Sequence, residues 1–89
     1  MKAIRMIVKG KVQGVYYRAS AKKTADRLNI RGWIKNLPDK NVEIKATGSV
    51  ELLQKYIDWC RQGPPGAVVQ DVIVEEIPEE GFIGFRILK

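Results

Sequence analysis

Hydrophobic residues follow two spacings along this chain, alternation in some segments and a helical recurrence in others. Alternation is typical of half-buried strands, and recurrence at every third or fourth position is typical of amphipathic helices. In chain order the spacings predict strand Ala3–Lys9, helix Tyr17–Leu28, strand Gly32–Asn36, strand Val42–Thr47, a helix between Ser49 and Gly63, strand Val68–Ile77 and strand Phe82–Ile87. This β-α-β-β-α-β order, with an additional strand near the end, predicts an α+β ferredoxin-like fold in which two helices cover one face of a mainly antiparallel sheet.

Five of the seven predicted elements have a face that is predicted to point into the core. The inward residues are Ile4, Met6 and Val8; Tyr17, Ala21, Thr24 or Ala25, and Leu28; Val42, Ile44 and Ala46; Leu53, Tyr56, Ile57 and Cys60; and Ile83, Phe85 and Ile87. Glu43 and Lys45 alternate with the inward residues of their strand and are predicted to point outward. The turn before that strand contains Pro38 and Asp39, which favour a hairpin. One core is expected for a chain of this length, so residues 1–89 are predicted to form a single domain.

The two predicted helices begin differently. The second has Ser49 as a plausible N-cap and ends at Gly63, as helices commonly do. The first begins in Val15–Tyr17, whose side chains cannot accept hydrogen bonds from the free N–H groups of a helix N-terminus. Arg18 also places a cation where the helix dipole disfavours it. Free N–H donors beside an arginine favour the binding of an anion such as phosphate.

Composition and charge limit the partners and the compartment that are expected for the protein. The net charge is +6, but the sixteen Lys and Arg residues are spread along the chain, so a basic surface is favoured over a nucleic-acid footprint. The single Cys60 excludes an internal disulfide and argues against a structural zinc site. No apolar run approaches the ~20 residues of a membrane span, and the first residues do not resemble a signal peptide. A cytoplasmic monomer with neither membrane nor nucleic-acid partners is expected.

The residues that are absent exclude several kinds of chemistry. The chain has no histidine, so it has no imidazole base and no Ser-His-Asp arrangement. No carboxylate cluster has the spacing of metal ligands, and neither a metal nor another cofactor is expected. The glycine-containing segment Gly10–Arg18 lacks the Gly-Lys-Ser/Thr ending of a nucleotide-binding P-loop, which disfavours ATP hydrolysis. Cys60 lies on the inward stripe of its helix and is interpreted as a core thiol.

Two sequence motifs resemble the signatures of the acylphosphatases. The segment VKGKVQGVYYR at residues 8–18 resembles the first signature, and GWIKN at residues 32–36, followed by Val42 and Gly48, resembles the second. The similarity continues to Gly63–Pro65 and Phe85–Ile87 and covers essentially the whole chain. The fold of acylphosphatases is also the predicted ferredoxin-like arrangement.

The resemblance implies an enzyme that hydrolyses a small acyl phosphate to a carboxylate and inorganic phosphate without a metal. The resemblance also implies roles for individual residues. The phosphate is held by backbone N–H groups, those of Gln13, Gly14, Val15, Tyr16, Tyr17 and Arg18. The guanidinium of Arg18 binds the phosphate as well and stabilises the transition state, and Asn36 orients the attacking water. Taken without the resemblance, Gly10 and Gly14 fit an ordinary turn, and Asn36 fits a residue at the end of a strand.

Four positions depart from the family pattern. Tyr17 replaces the usual Phe and is expected to be tolerated if its hydroxyl finds a partner. Ile34 is larger than the usual residue and is interpreted as a packing variant. Lys40 stands where the family typically has Gly in the hairpin turn, so Asn41 or a different turn type is expected to adopt the left-handed conformation. Tyr16 occupies a variable position and is interpreted as altering how acyl groups enter.

Two other functions are compatible with the same fold. An RNA-binding or anion-binding module is disfavoured because strands Ala3–Lys9 and Val42–Thr47 contain no aromatic residue, whereas RNA-recognition sheets stack bases on such residues. An acylphosphatase-like domain that has lost its activity is favoured only by Lys40 and Tyr16. The sequence alone leaves this alternative open.

Overall fold

Five strands and two helices succeed one another in the predicted order in the computed structural model, which describes residues 1–89. Their bounds are β1 (Lys2–Lys11), α1 (Tyr17–Arg27), β2 (Arg31–Asn36), β3 (Val42–Gly48), α2 (Val50–Gln62), β4 (Val68–Ile77) and β5 (Phe85–Ile87). Most boundaries lie within two residues of the predicted ones. Neither helix has the length and apolar character required to cross a membrane.

The strands form one sheet in the order β4-β1-β3-β2-β5. Strand β1 lies between β4 and β3 and is antiparallel to both, so that Ala3 pairs with Thr47 of β3 and with Ile77 of β4. Strand β2 is antiparallel to β3 and parallel to the short edge strand β5. The predicted ferredoxin-like α+β fold, with its mainly antiparallel sheet, is confirmed.

The core lies between the sheet and the two helices. Most of the residues predicted to point inward from β1, β3 and both helices are buried, and Thr24 and Ala25 of α1 are both among them. The hydroxyl of Tyr56 in α2 donates to the carbonyl of Ala21 in α1 at 3.1 Å. The ring of Tyr56 also meets that of Phe85 edge to face, with centroids 5.9 Å apart. Both helices are thus fixed to each other and to the sheet edge that carries β5.

The prediction for the last strand is wrong in its start and in two of its three inward residues. The strand begins at Phe85 rather than Phe82, and Ile83 is 83% exposed. Gly84 turns the chain with φ of +65°, so only the three residues Phe85–Ile87 pair with β2. Ile87 is also exposed, which leaves Phe85 as the only one of the three that is buried.

Glu43 faces away from the helices as predicted, yet it is only 9% exposed. Two cations cover its carboxylate: Arg5 Nε lies 2.6 Å from Oε2, and Lys35 Nζ lies 3.7 Å from Oε1. The alternation in β3 predicted the face on which Glu43 lies. It did not predict that Glu43 is buried, because the covering side chains come from neighbouring strands.

The β2–β3 hairpin places Lys40 in the left-handed conformation, with φ of +74°. The Lys40 N–H donates to the carbonyl of Leu37 at 3.1 Å, and the Leu37 N–H donates to the carbonyl of Asn41 at 2.8 Å. The prediction that Asn41 or a different turn type would replace Lys40 in this role is therefore wrong. The turn keeps the left-handed conformation that suits glycine, and Lys40 adopts it despite the steric strain caused by its side chain.

Lys40→Gly is expected to stabilise the protein. The left-handed conformation costs a non-glycine residue about 1–2 kcal/mol, and the greater freedom of glycine in the unfolded chain offsets about 0.5–1 kcal/mol of the gain. The unfolding free energy measured in urea should therefore rise by roughly 0.5–1 kcal/mol. Lys55→Gly within α2 is the matched control and should destabilise the protein by about 1 kcal/mol. A Lys40→Gly variant no more stable than the parent would contradict this account.

Candidate active site

The loop between β1 and α1 presents backbone N–H groups that have no partner in the protein. Residues 13–16 lie outside the helices and strands, and none of their N–H groups donates a hydrogen bond to a backbone or side-chain acceptor. The first helical hydrogen bond of α1 runs from the Ser20 N–H to the carbonyl of Tyr16 at 3.0 Å. The preceding N–H groups of the first turn therefore have no helical acceptor either. Such an array can bind an anion.

The helix begins without a cap, as predicted. Tyr16 stands at the N-cap position with φ of 61° and ψ of 22°, and no side chain accepts a bond from the first turn. The first turn contains no acidic residue. Tyr16 itself is 84% exposed. Left-handed backbone at a residue other than glycine is strained, and such strain is common where a loop is shaped for a ligand.

Gly10 and Gly14 have different roles in shaping this segment. Gly10, with φ of +127°, lies in β1 and pairs with Val69 of β4, and a Cβ there would lie 2.1 Å from the carbonyl oxygen of Val68 in β4. Gly14, with φ of +72°, has open space around it, and its backbone turns the loop. Gly10 thus allows two strands to approach closely, whereas Gly14 provides the bend in front of α1.

Arg18 lies in the first turn of α1, and its side chain makes neither an ion pair nor a hydrogen bond with any protein group. Its side chain is partly exposed. The helix dipole disfavours a cation at this end, so the protein gains no stability from this placement. A free guanidinium beside free N–H groups can bind a phosphate with two parallel hydrogen bonds.

Asn36 is the last residue of β2, and its side-chain oxygen is buried without a hydrogen-bond partner. Buried polar atoms nearly always have partners because an unpaired one costs free energy. An acceptor without a protein partner can instead accept a hydrogen bond from water. The Asn36 oxygen is the only buried side-chain polar atom in the protein without a partner.

These groups line one cavity of about 400 Å³. Its walls come from Val12, Gln13, Gly14, Tyr16, Tyr17, Arg18, Ala19, Asn36 and Ile87. Of the predicted site residues only Val15 does not line it, because its side chain packs against the hydrophobic core. Ile87 was not predicted as a site residue, since nothing in its local pattern indicates that the edge strand reaches this cavity.

The side chain of Gln13 has a contact that sequence analysis missed. Its Nε2 donates to the carbonyls of Leu37 and Asn41, at 2.9 and 2.8 Å. Both acceptors belong to the hairpin turn that directly follows Asn36. Only the backbone N–H of Gln13 was predicted to contribute to the site.

Tyr17 lines the inner wall of the cavity and joins the two helices. Its hydroxyl donates to the carbonyl of Cys60 at 2.8 Å, which confirms that the hydroxyl finds a partner. The N–H that would normally bond this carbonyl belongs to residue 64, which is proline and has none. Burial raises the pKa of Tyr17 well above its ordinary value. Burial also raises the pKa of the Cys60 thiol to about 12, consistent with the predicted core thiol.

Tyr17→Phe is expected to lower the stability of the protein. Removal of the hydroxyl leaves the buried carbonyl of Cys60 without a donor, which should lower the unfolding free energy by about 1–3 kcal/mol. Tyr16→Phe is the matched control, because its exposed hydroxyl has no protein partner and its loss should leave stability unchanged. Urea unfolding of both variants checks the difference. Equal stability of Tyr17→Phe and Tyr16→Phe would contradict the proposed importance of this bond.

No group of three or more His, Cys, Asp or Glu side chains is arranged to hold a metal ion. The cationic and donor groups of the cavity are instead Arg18 and the backbone N–H groups around it. What the arrangement can do is bind a tetrahedral anion and hold a water molecule next to it.

Comparisons with known proteins agree with this chemistry. A sequence profile described as Acylphosphatase matches residues 4–87. The chain is 48% identical over 83 residues to an acylphosphatase of Gloeobacter violaceus, covering 92% of this chain and 88% of that protein. It is 44% identical over 90 residues to an acylphosphatase of Methylococcus capsulatus, covering 100% and 98%. The crystal structure of acylphosphatase from Bacillus subtilis superposes with a TM-score of 0.97 at 38% identity, covering 100% of both chains.

Proposed function

Since the chain belongs to the acylphosphatase family, whose members hydrolyse acyl phosphates, we propose that the cavity between the β1–α1 loop and the end of β2 is its active site. One observation supports this proposal above the others. The residues that carry the free backbone donors, the free guanidinium and the side-chain oxygen without a partner line the same cavity. Each of these features is unfavourable or unused in the free protein, and each gains a partner when a phosphate and a water bind.

The phosphate of the substrate is held by the loop. The N–H groups of residues 13–18 donate to its oxygens, and the guanidinium of Arg18 donates two further hydrogen bonds. Phosphoryl transfer passes through a loose transition state whose charge is spread over the equatorial oxygens. Donors that are already oriented toward those oxygens stabilise this charge without rearranging.

Asn36 orients the nucleophile. Its side-chain oxygen accepts a hydrogen bond from a water molecule, which directs the water's lone pair toward phosphorus, opposite the acyl oxygen. The water oxygen bonds to phosphorus as the bond from phosphorus to the acyl oxygen breaks, and the bonding electrons leave with the carboxylate. One water proton passes to an oxygen of the transferred phosphate. A carboxylate leaves readily, so neither a strong general acid nor a metal is needed in this scheme.

A direct test combines turnover with binding. The protein should hydrolyse benzoyl phosphate in the presence of a chelator, and inorganic phosphate should inhibit competitively. In an NMR titration with inorganic phosphate, the amide resonances of residues 13–19 should shift together. Loss of turnover on chelation would contradict the metal-free scheme, and shifts confined to another surface would contradict the proposed site.

We also propose that the enzyme works as a cytoplasmic monomer that binds no nucleic acid. The reaction scheme proposed above uses the loop donors, Arg18 and Asn36 of one chain and invokes no second subunit. The unpaired, buried Cys60 fits a reducing compartment. Light scattering at the concentration of the activity assay tests the monomer, and cell fractionation tests the location.

A further inference from the structure

We propose that the side chain of Gln13 is a positioning residue that sets the distance between the phosphate loop and Asn36. The proposal rests on the function proposed above, because it assigns the loop to phosphate and Asn36 to water. Gln13 acts through its contacts with the β2–β3 hairpin and does not touch the reacting atoms with its side chain.

The geometry identifies which end of the Gln13 amide faces the hairpin. Two backbone carbonyls, those of Leu37 and Asn41, lie 2.9 and 2.8 Å from the same side-chain atom. Carbonyl oxygens only accept hydrogen bonds, so the atom between them is the NH₂ group, and both of its hydrogens are used. Each carbonyl also accepts one backbone hydrogen bond within the turn, from Lys40 and Leu37 respectively. The amide therefore joins a turn that is already closed by its own bonds.

The bridge connects two parts of the site that the sheet does not connect directly. The loop extends from β1, whereas Asn36 ends β2, and β3 lies between these strands in the sheet. Residues 13–16 make no backbone hydrogen bond to the hairpin, because their N–H groups are left free. The two bonds from the Gln13 side chain are the only hydrogen bonds between these loop residues and the turn. The Gln13 side chain thus links the loop to the hairpin. The loop backbone cannot make this link while its N–H groups bind the phosphate.

Loss of this bridge should affect the alignment of water and phosphorus more than the affinity for phosphate. The loop donors would remain, but the hairpin, and Asn36 with it, would be free to shift relative to them. A displacement of about 1 Å in a catalytic group can lower the rate by about 10²-fold.

Gln13→Met, which keeps the length of the side chain without the amide, is the first variant to measure. The expected result is a kcat lower by about 10- to 100-fold, because water and phosphorus are misaligned. The inhibition constant of inorganic phosphate should stay within about threefold of the parent value, because ground-state binding is retained. Gln54→Met is the matched control: Gln54 lies on α2 and donates only to the exposed Asp58, so its kcat should be unchanged. A Gln13→Met enzyme with the parent's kcat would overturn the proposal.

A double-mutant cycle with Asn36→Ala separates positioning from a general structural role. If Gln13 acts through Asn36, the double variant should have nearly the same kcat as Asn36→Ala alone, because there is no longer an oriented group to misalign. Fully multiplicative losses would overturn the proposal. The cycle also separates the two proposals: a fully active Asn36→Ala enzyme contradicts the proposed function, whereas a slow Asn36→Ala with a normal Gln13→Met contradicts only the role of Gln13.

Gln13→Glu supplies a pH-dependent version of the same test and serves if the methionine variant does not fold. A carboxylate facing two carbonyl oxygens has no hydrogen to donate, whereas the neutral acid can donate to one of them. Relative to the parent at the same pH, kcat should rise as the pH falls through the pKa of the introduced carboxyl. If the ratio of the Gln13→Glu kcat to the parent kcat is the same at every pH, the bridging role of Gln13 is overturned.

Discussion

An Arg18→Ala enzyme is expected to hydrolyse benzoyl phosphate with a kcat/KM lower by about 10³-fold or more. The side chain of Arg18 has no ion pair or hydrogen bond with the protein, so the loss would not arise from a broken structural contact. It would arise because the fork of two charge-assisted bonds to the phosphate, and the positive charge beside the transition state, are removed together. Inhibition by inorganic phosphate should weaken in parallel. Initial rates over a range of substrate concentrations, with and without phosphate, measure both effects.

Stability gives this prediction an independent check. Removing a cation from the N-terminal turn of α1 should raise the unfolding free energy by about 0.3–1 kcal/mol at low salt, because the helix dipole disfavours the charge. Arg27→Ala, in the last turn of the same helix, is the matched control and should leave turnover unchanged while slightly lowering stability. Arg18→Lys keeps the charge without the fork and should recover only part of the activity. Unchanged phosphate inhibition in Arg18→Ala would contradict the role of the guanidinium.

Asn36→Ala should lower kcat by about 10²- to 10³-fold, the effect typical of losing one oriented polar group at the transition state. The inhibition constant of inorganic phosphate should be nearly unchanged, because the phosphate-binding donors belong to the loop. The side-chain oxygen of Asn36 has no protein partner, so its removal breaks none of the protein's hydrogen bonds to that atom. The fold should therefore keep its stability. Single-turnover rates with benzoyl phosphate separate the chemical step from binding.

Asn29→Gly is a suitable control for Asn36→Ala. Asn29 is exposed, follows α1 and has φ of 58°, which glycine adopts without strain. It should retain full activity. If Asn36→Ala instead weakens phosphate inhibition as much as turnover, Asn36 binds the phosphate rather than the water. Parent-like activity in both Arg18→Ala and Asn36→Ala would contradict the entire site assignment.

The elements that could be predicted from sequence are those specified by neighbouring residues. Alternation in β1 and β3, and the cap at Ser49 with the glycine at residue 63, act over a few positions, and the structure has them where predicted. The failures arise where distant segments decide the outcome. Ile83 fits an alternating pattern but precedes a three-residue edge strand, and Glu43 is covered by cations from adjacent strands.

In the candidate site, too, features set by residues close in sequence could be predicted, whereas features set by distant segments could not. The uncapped helix with Arg18 in its first turn could be predicted, because capping depends on residues close in sequence. The double contact of the Gln13 side chain and the approach of Ile87 could not, because they depend on how the hairpin and β5 pack around the loop. Lys40 shows a third case, since local preference predicted an alternative turn, while the hairpin imposed the left-handed conformation on the lysine.

The position of β1 between β3 and β4 has a consequence for how the chain folds. The first strand to be synthesised is completed by β3 and, on its other edge, by β4, where Ala3 pairs with Ile77. Both pairings close long loops before they bring stabilising contacts, which is typical of domains that fold in milliseconds to seconds rather than microseconds. During translation, β1 leaves the ribosome with two unsatisfied edges and keeps one of them until nearly the whole domain has emerged. Its charged residues, Lys2, Arg5, Lys9 and Lys11, then repel a second nascent copy and oppose pairing between chains.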